Sequence, residues 1–242
     1  MGHEAAEGPA LDSGKPHGRR RSKRRAGVCV LVLSLAVVTV APLAAGTLRG
    51  QIEMLEKKGK KAKDLSEVVV WVEGPKVAPE PAKATINMKK KRFEPHLVVV
   101  PVGGEVAFPN MDPILHNAFS VSGENRFDLE LYKKPNSRSH TFQHPGIVRV
   151  YCNIHPQMSA FVVVRDNPFW AQVGSDGRFS IEGVPAGSWV VKAWHARTGE
   201  ISRPVQVPET GAADLALTLD ASRYKRVKHR NKYGKKYKKG RY

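Results

Sequence analysis

The chain has 242 residues, with 40 Lys and Arg against 22 Asp and Glu, and only two cysteines. That length is enough for one or two modest domains with cores of their own. The charge is unevenly placed: residues 221–242 hold eleven basic and no acidic residues, while residues 47–220 hold 22 basic and 19 acidic. A uniformly basic folded body is therefore excluded, and the excess belongs to the two terminal segments.

The N-terminal segment reads Arg19-Arg20-Arg21-Ser22-Lys23-Arg24-Arg25 and then an apolar run from Ala26 to about Gly46. A basic start, an apolar centre and small residues at Ala44-Ala45-Gly46 describe an export signal. Pro42 and those small residues suit a peptidase site, and the length of the run also suits a retained membrane anchor. In both cases the positive-inside rule puts residues 1–25 in the cytoplasm and the rest outside it, which makes the expected location periplasmic or extracytoplasmic. Cys29 lies in this run. With the leader removed, Cys152 is a lone cysteine in an exported chain: an intermolecular link, a reactive thiol or a metal ligand.

Residues 47–75 predict two strands around a Lys/Gly loop, the second being Val68-Val69-Val70-Trp71-Val72 before Gly74-Pro75. Residues 77–82 are Pro-rich and predict an extended linker. From Ala84 to Arg165 the texture is short strands and turns. Strands are expected at Leu97–Val100, Glu105–Phe108, Asp128–Tyr132, Ser139–Phe142, Val148–Tyr151 and Ala160–Val164. Residues 167–220 restart the pattern, with turns at Asp176-Gly177 and Pro185-Ala186-Gly187. No segment has sustained helical periodicity, so the expected class is all-β, as sandwiches. Residues 221–242, with four tyrosines and almost no aliphatic side chain, predict a disordered basic tail.

The chemistry concentrates in Tyr151-Cys152-Asn153-Ile154-His155-Pro156-Gln157-Met158. A thiolate, an imidazole and a thioether fall on one loop between two expected strands. His116, with Asn117 beside it, lies on an upstream loop between expected strands. Two His, one Cys and one Met form a soft donor set that favours copper over magnesium or calcium, in the pattern of a blue-copper electron-transfer site. Zinc competes, but it prefers several thiolates or carboxylates and rarely takes Met. Read singly, Cys152 is a buried thiol, His155 a turn residue and Met158 core filler; together they read as a site. His96, His140, His144 and His195 are left outside it, and the simplest role for Met111 and Asp112 is the turn at Pro113.

Residues 84–166 resemble cupredoxins of the plastocyanin and amicyanin type. The resemblance rests on Phe93-Glu94-Pro95, Val102-Gly103-Gly104-Glu105-Val106-Ala107-Phe108-Pro109-Asn110, His116-Asn117, Pro145-Gly146 and the Cys-x-x-His-x-x-Met spacing with Pro156 after His155. It implies a Greek-key β-sandwich holding one type 1 copper on His116, Cys152, His155 and Met158. It also implies that electrons leave by the edge of His155 through an apolar patch. Asn117 resembles the family Asn that ties the two ligand loops and places an amide near the sulfur; Asn153 is a second candidate for such support. Residues 167–220 resemble a carboxypeptidase regulatory-like (transthyretin-like) sandwich, in Asp176–Ile181 and Val184–Gly187. At this length the module is short for a complete sandwich. Residues 47–75 supply what is missing if the two segments form one discontinuous sandwich with the cupredoxin inserted; the simpler alternative makes 47–75 part of the cupredoxin.

The expected function is one-electron carriage between redox donor and acceptor proteins. Copper storage or delivery, and an envelope interaction module with incidental copper, are the alternatives. An oxidase is not expected, because the chain has no His-x-His cluster of the kind that builds a trinuclear site. The tail suits anionic lipid, a cell-surface polymer or an acidic redox partner; export argues against nucleic acid.

Overall fold

The computed structural model describes residues 45–227 and 229–237. The expected signal or anchor, residues 1–46, lies outside the described residues except for Ala45 and Gly46, which open the strand Ala45–Leu55. Among the described residues no helix is long and apolar enough to cross a membrane. The chain is all-β there, broken only by the short turns Lys57–Gly59 and Gly123–Asn125.

Two sandwiches make up the body. In the first, the strand Ala45–Leu55 runs antiparallel to Arg178–Pro185 and parallel to Ala212–Asp220. Facing it is a four-stranded sheet in the order Trp170–Gln172, Val69–Glu73, Gly187–His195, Gly199–Val207. Ile52 pairs with Leu217, and Val70 with Ala193 and Ala171, all beyond residue 167. Leu48, Ile52, Met54 and Leu219 meet Val70, Val72 and Val191 across the core. Gly50 permits this approach: a Cβ there would lie 2.2 Å from the Leu215 carbonyl and 2.5 Å from the Phe179 ring.

Between Glu73 and Trp170 the chain leaves this sandwich and builds the second one. One sheet orders Ser137–Phe142, Gly104–Pro109 and Lys83–Thr85. The other orders Leu97–Pro101, Ser159–Arg165, Gly146–Tyr151, Phe119–Ser120 and Phe127–Asp128. Alternation along Gly104–Pro109 sends Val106 and Phe108 inward, against Val148, Val150, Val162 and Val164. One expected strand is cut short. Asp128–Tyr132 ends at Asp128 because Glu130 takes a positive φ of 54°, with its N–H bonded to the Asp128 carboxylate at 2.9 Å.

The two sandwiches are in contact. Val69, Trp71 and Trp194 of one sheet pack on Leu97 and Val163 of the other. Both faces of Val69–Val72 and of Val162–Val164 are thus covered, which explains why these strands read as unbroken apolar runs. Arg165 lies at this seam, 8% exposed, its guanidinium 4.4 Å from the Trp71 ring. Burial lowers its pKa. Among the described residues its Nε has no hydrogen-bond partner.

His195, 5% exposed, gives the fold a pH dependence. Burial, aided by the Arg197 charge, lowers its pKa to about 4. The unfolded chain takes up this proton near pH 6.5, where the folded chain does not. Stability is therefore full above about pH 6.5 and falls as the pH drops toward about 4, by on the order of 2 kcal/mol from this group. Urea midpoints at the two ends of that window should differ less in His195→Gln than in the parent; equal differences would rule His195 out as the cause.

Candidate metal centre

The ligand loop is closed by its own backbone. The strand Gly146–Tyr151 ends just before Cys152, whose N–H donates to the Met158 carbonyl at 3.3 Å. The Met158 N–H donates to the His155 carbonyl at 3.0 Å. The strand Ser159–Arg165 follows at once. Side chains at Cys152, His155 and Met158 are thereby gathered on a loop whose two ends are fixed to paired strands.

His116 reaches the same point from another loop. It exchanges backbone hydrogen bonds with Tyr132, at 3.0 and 2.9 Å. Tyr132 is in turn locked inward, its hydroxyl donating to the Phe108 carbonyl at 2.5 Å. Asn110 holds the intervening turn: its amide donates to the Ile114 and Tyr132 carbonyls, and its oxygen accepts the Asp112 N–H.

The donor atoms converge. His116, Cys152 and His155 each offer one ligand atom, all within 4.8 Å of one another, and all three residues are buried. The two imidazole Nδ1 atoms are 2.9 Å apart, and the Cys152 sulfur is 3.6 Å from His155 Nδ1. Ligands bound at about 2.0–2.3 Å around one ion have mutual spacings of this size. Met158 is fully buried in the same core cluster as Cys152. The residues therefore fit a copper ion in chemistry and in spacing.

Electrostatics prepare the site. Burial pushes the Cys152 thiol up, and the backbone N–H groups of Asn117, Ile154 and His155 draw it the other way. Burial, reinforced by His116, lowers His155 to about 4, so its imidazole is neutral and available as a ligand near pH 7. The far nitrogen of His116, Nε2, lies 2.9 Å from an Asp112 carboxylate oxygen. That contact fixes which nitrogen points inward. Burial alone would raise Asp112. The Lys91 N–H, His116 and the Lys90 N–H outweigh it, and the carboxyl lies below its usual range.

Asp112 is thus more than a turn residue, and the sequence reading missed it. A carboxylate four residues before a candidate His was the available signal. Asn117 joins the loops: its oxygen accepts the Asn153 N–H at 2.7 Å and its amide donates to Asp128 at 3.1 Å. Asn153 takes part through its backbone, while its side chain faces the C-terminal segment. The other histidines are elsewhere. His96 bonds Glu67 at 2.8 Å, His140 stacks on Phe127 and His144 lies near Glu124. Met111 is 47% exposed.

The C-terminal segment differs most from its sequence reading. A disordered tail is expected from residue 221 onward, but residues 229–237 lie on the ligand loop. His229 Nε2 is 2.8 Å from the Pro156 carbonyl and its ring stacks on Tyr151 at 4.1 Å. The Lys232 N–H donates to the Asn153 side chain at 3.0 Å. The Tyr237 hydroxyl donates to the Cys152 carbonyl at 2.7 Å. Composition rightly denies this segment a core of its own, but it borrows a surface from the folded body.

No protein-family model matches the chain, and no curated protein matches it. Among solved structures the chain is similar to a purple cupredoxin from Nitrosopumilus maritimus, with 24% identity over 34% of this chain and 98% of that one, at a TM-score of 0.30. It is also similar to a Cu-containing nitrite reductase from Thermus scotoductus SA-01, with 27% identity over 38% of this chain, at a TM-score of 0.32. The chain spans only 24% of that reductase. A mutant of amicyanin in the Cu(I) form is 25% identical over 40% of this chain and 98% of its own, at a TM-score of 0.33.

Proposed function

We propose that this protein is an exported copper protein with one type 1 site, acting as a one-electron carrier. The observation that supports this reading most is the buried convergence of His116, Cys152 and His155, with Met158 closing the same loop. A bound copper ion supplies the chemistry, one-electron exchange between Cu(I) and Cu(II). The chain's residues supply the rest. His116, Cys152 and His155 would provide the strong donors, and Met158 would add a thioether that tunes the potential. Two loops anchored in one sandwich hold these donors with little freedom to rearrange. Asp112 orients His116, and the N–H groups facing the sulfur favour the thiolate.

Carriage is preferred to catalysis because four protein donors leave no open position for a substrate. It is preferred to storage or delivery because the three strong donors are at most 4% exposed, whereas metal exchange needs an accessible ligand. The first sandwich, whose sequence resembles carboxypeptidase regulatory-like modules, has no visible catalytic set among the described residues, and we assign it a structural or docking role.

The full chain loaded with Cu(II) should show an intense thiolate-to-copper visible band and a type 1 EPR signal. Cys152→Ser should abolish the band while leaving the fold intact by circular dichroism. A colourless Cu(II) adduct of the parent chain would overturn the proposal.

A further inference from the structure

The segment on the ligand loop is strongly cationic, and its cations are arranged in two classes. Lys232 is used internally: its ammonium contacts Asp128 at 2.5 Å and Glu130 at 3.2 Å and offsets part of their negative charge. Arg226, Arg230, Lys235 and Lys236 are exposed. Among the described residues none of these four takes part in an ion pair. A recess of about 600 Å³ opens beside the segment, lined by Arg226, His229, Pro156 and Tyr151 and, from the neighbouring strands, by Arg149. Arg149 is likewise free of any ion pair among the described residues; the recess's Glu67 is bonded to His96, its Asp64 accepts the Ser66 N–H, and its Arg197 is bonded to Glu56.

These positive charges are not on a free tether. Tyr237 on Cys152, His229 on Pro156 and Lys232 on Asn153 pin the backbone to the very loop that bears three of the four donors. We infer that residues 224–227 and 229–237 form a docked strap that makes the face around the ligand loop cationic and recruits a redox partner presenting clustered Asp and Glu side chains. This rests on the carrier reading above and adds the class of partner. Clustered unpaired charge beside a site raises encounter rates with oppositely charged surfaces and selects among partners. A protein is favoured over a lipid surface because Arg226 of the strap and Arg149 line a recess, which a protruding acidic side chain can enter and a flat headgroup layer cannot.

The test uses the metal-free full chain, so it does not depend on copper. Fluorescein-labelled poly-L-glutamate, titrated by anisotropy at low salt, should bind, and binding should fade at high salt. Affinity should drop about tenfold in the triple variant Arg226→Glu/Arg230→Glu/Lys235→Glu, which spares every strap-to-loop contact. Hydrogen exchange should slow in residues 152–158 and 229–237 when the peptide is bound. Tyr237→Phe should quicken exchange in both segments without peptide. Unchanged affinity in the triple variant, protection elsewhere, or no effect of Tyr237→Phe would each overturn the proposal. Binding to phosphatidylserine vesicles but not to the peptide would also overturn it and assign the strap to a membrane surface. A missing blue band would sink the carrier reading and leave the peptide result standing.

Discussion

Replacing Asp112 with alanine should weaken copper binding by about 10–100-fold, the usual effect of losing the partner that orients a ligating imidazole. Three contacts disappear at once. His116 Nε2 loses its acceptor, and the N–H groups of Lys90 and Lys91 lose the carboxylate that they share. Both lysines take a positive φ, 52° and 54°, so their turn is a conformation that ordinary residues adopt reluctantly. Without Asp112 the turn relaxes and His116 can rotate. Asp112→Asn keeps one oxygen and should lose less. Competition with a chelator of known copper affinity gives the numbers. An Asp112→Ala protein that binds copper as tightly as the parent would show that the Tyr132 bridge alone positions His116.

Trp71→Ala should be the most destabilising substitution at the seam between the sandwiches, at about 3–5 kcal/mol. Trp71 is 2% exposed and packs in the cluster with Leu97, Val163 and Trp194. Its indole N–H donates to Glu73 at 3.0 Å. Its face also covers the buried Arg165 guanidinium at 4.4 Å; Nη2 of that guanidinium lies 3.6 Å from Asp166, while Nε has no hydrogen-bond partner among the described residues. The substitution therefore opens a cavity and leaves a buried cation facing it, and these two costs add. Guanidinium unfolding followed by far-ultraviolet circular dichroism should show one transition in the parent and an earlier, broadened or split one in the variant. A loss below about 1 kcal/mol, outside the range for such cavities, would mean the seam contributes little.

The ligand loop was legible in the sequence because its three donors fall within seven residues and its ends are strands. Spacing and position there coincide. The all-β class was legible for a similar reason: valine-rich runs between Gly, Pro and Asp-Gly turns leave little choice. Asp112 was legible only as a carboxylate four residues before His116; its role depends on Asn110 folding the turn so that the carboxylate comes back to His116 Nε2. Glu130 could not be foreseen either; its positive φ breaks a strand that Leu129, Leu131 and Tyr132 otherwise suggest. The strap was the hardest feature. Its grip is on the carbonyls of Cys152 and Pro156, and any sequence offers carbonyls. Only the folded loop turns them outward where a tyrosine and a histidine can reach them.

The place where the chain leaves and re-enters the first sandwich has a mechanical consequence. Val69–Glu73 and Trp170–Gln172 are adjacent strands, with Trp71 opposite Trp170. Everything between them is a loop of chain stitched at both ends to one sheet. A protease that cuts either crossing leaves the two bodies covalently joined, and both crossings must be severed to release the metal-binding half. That half is suspended from two threads rather than one. Its orientation toward whatever the first sandwich rests on is set by the weave of the chain as well as by packing at the seam.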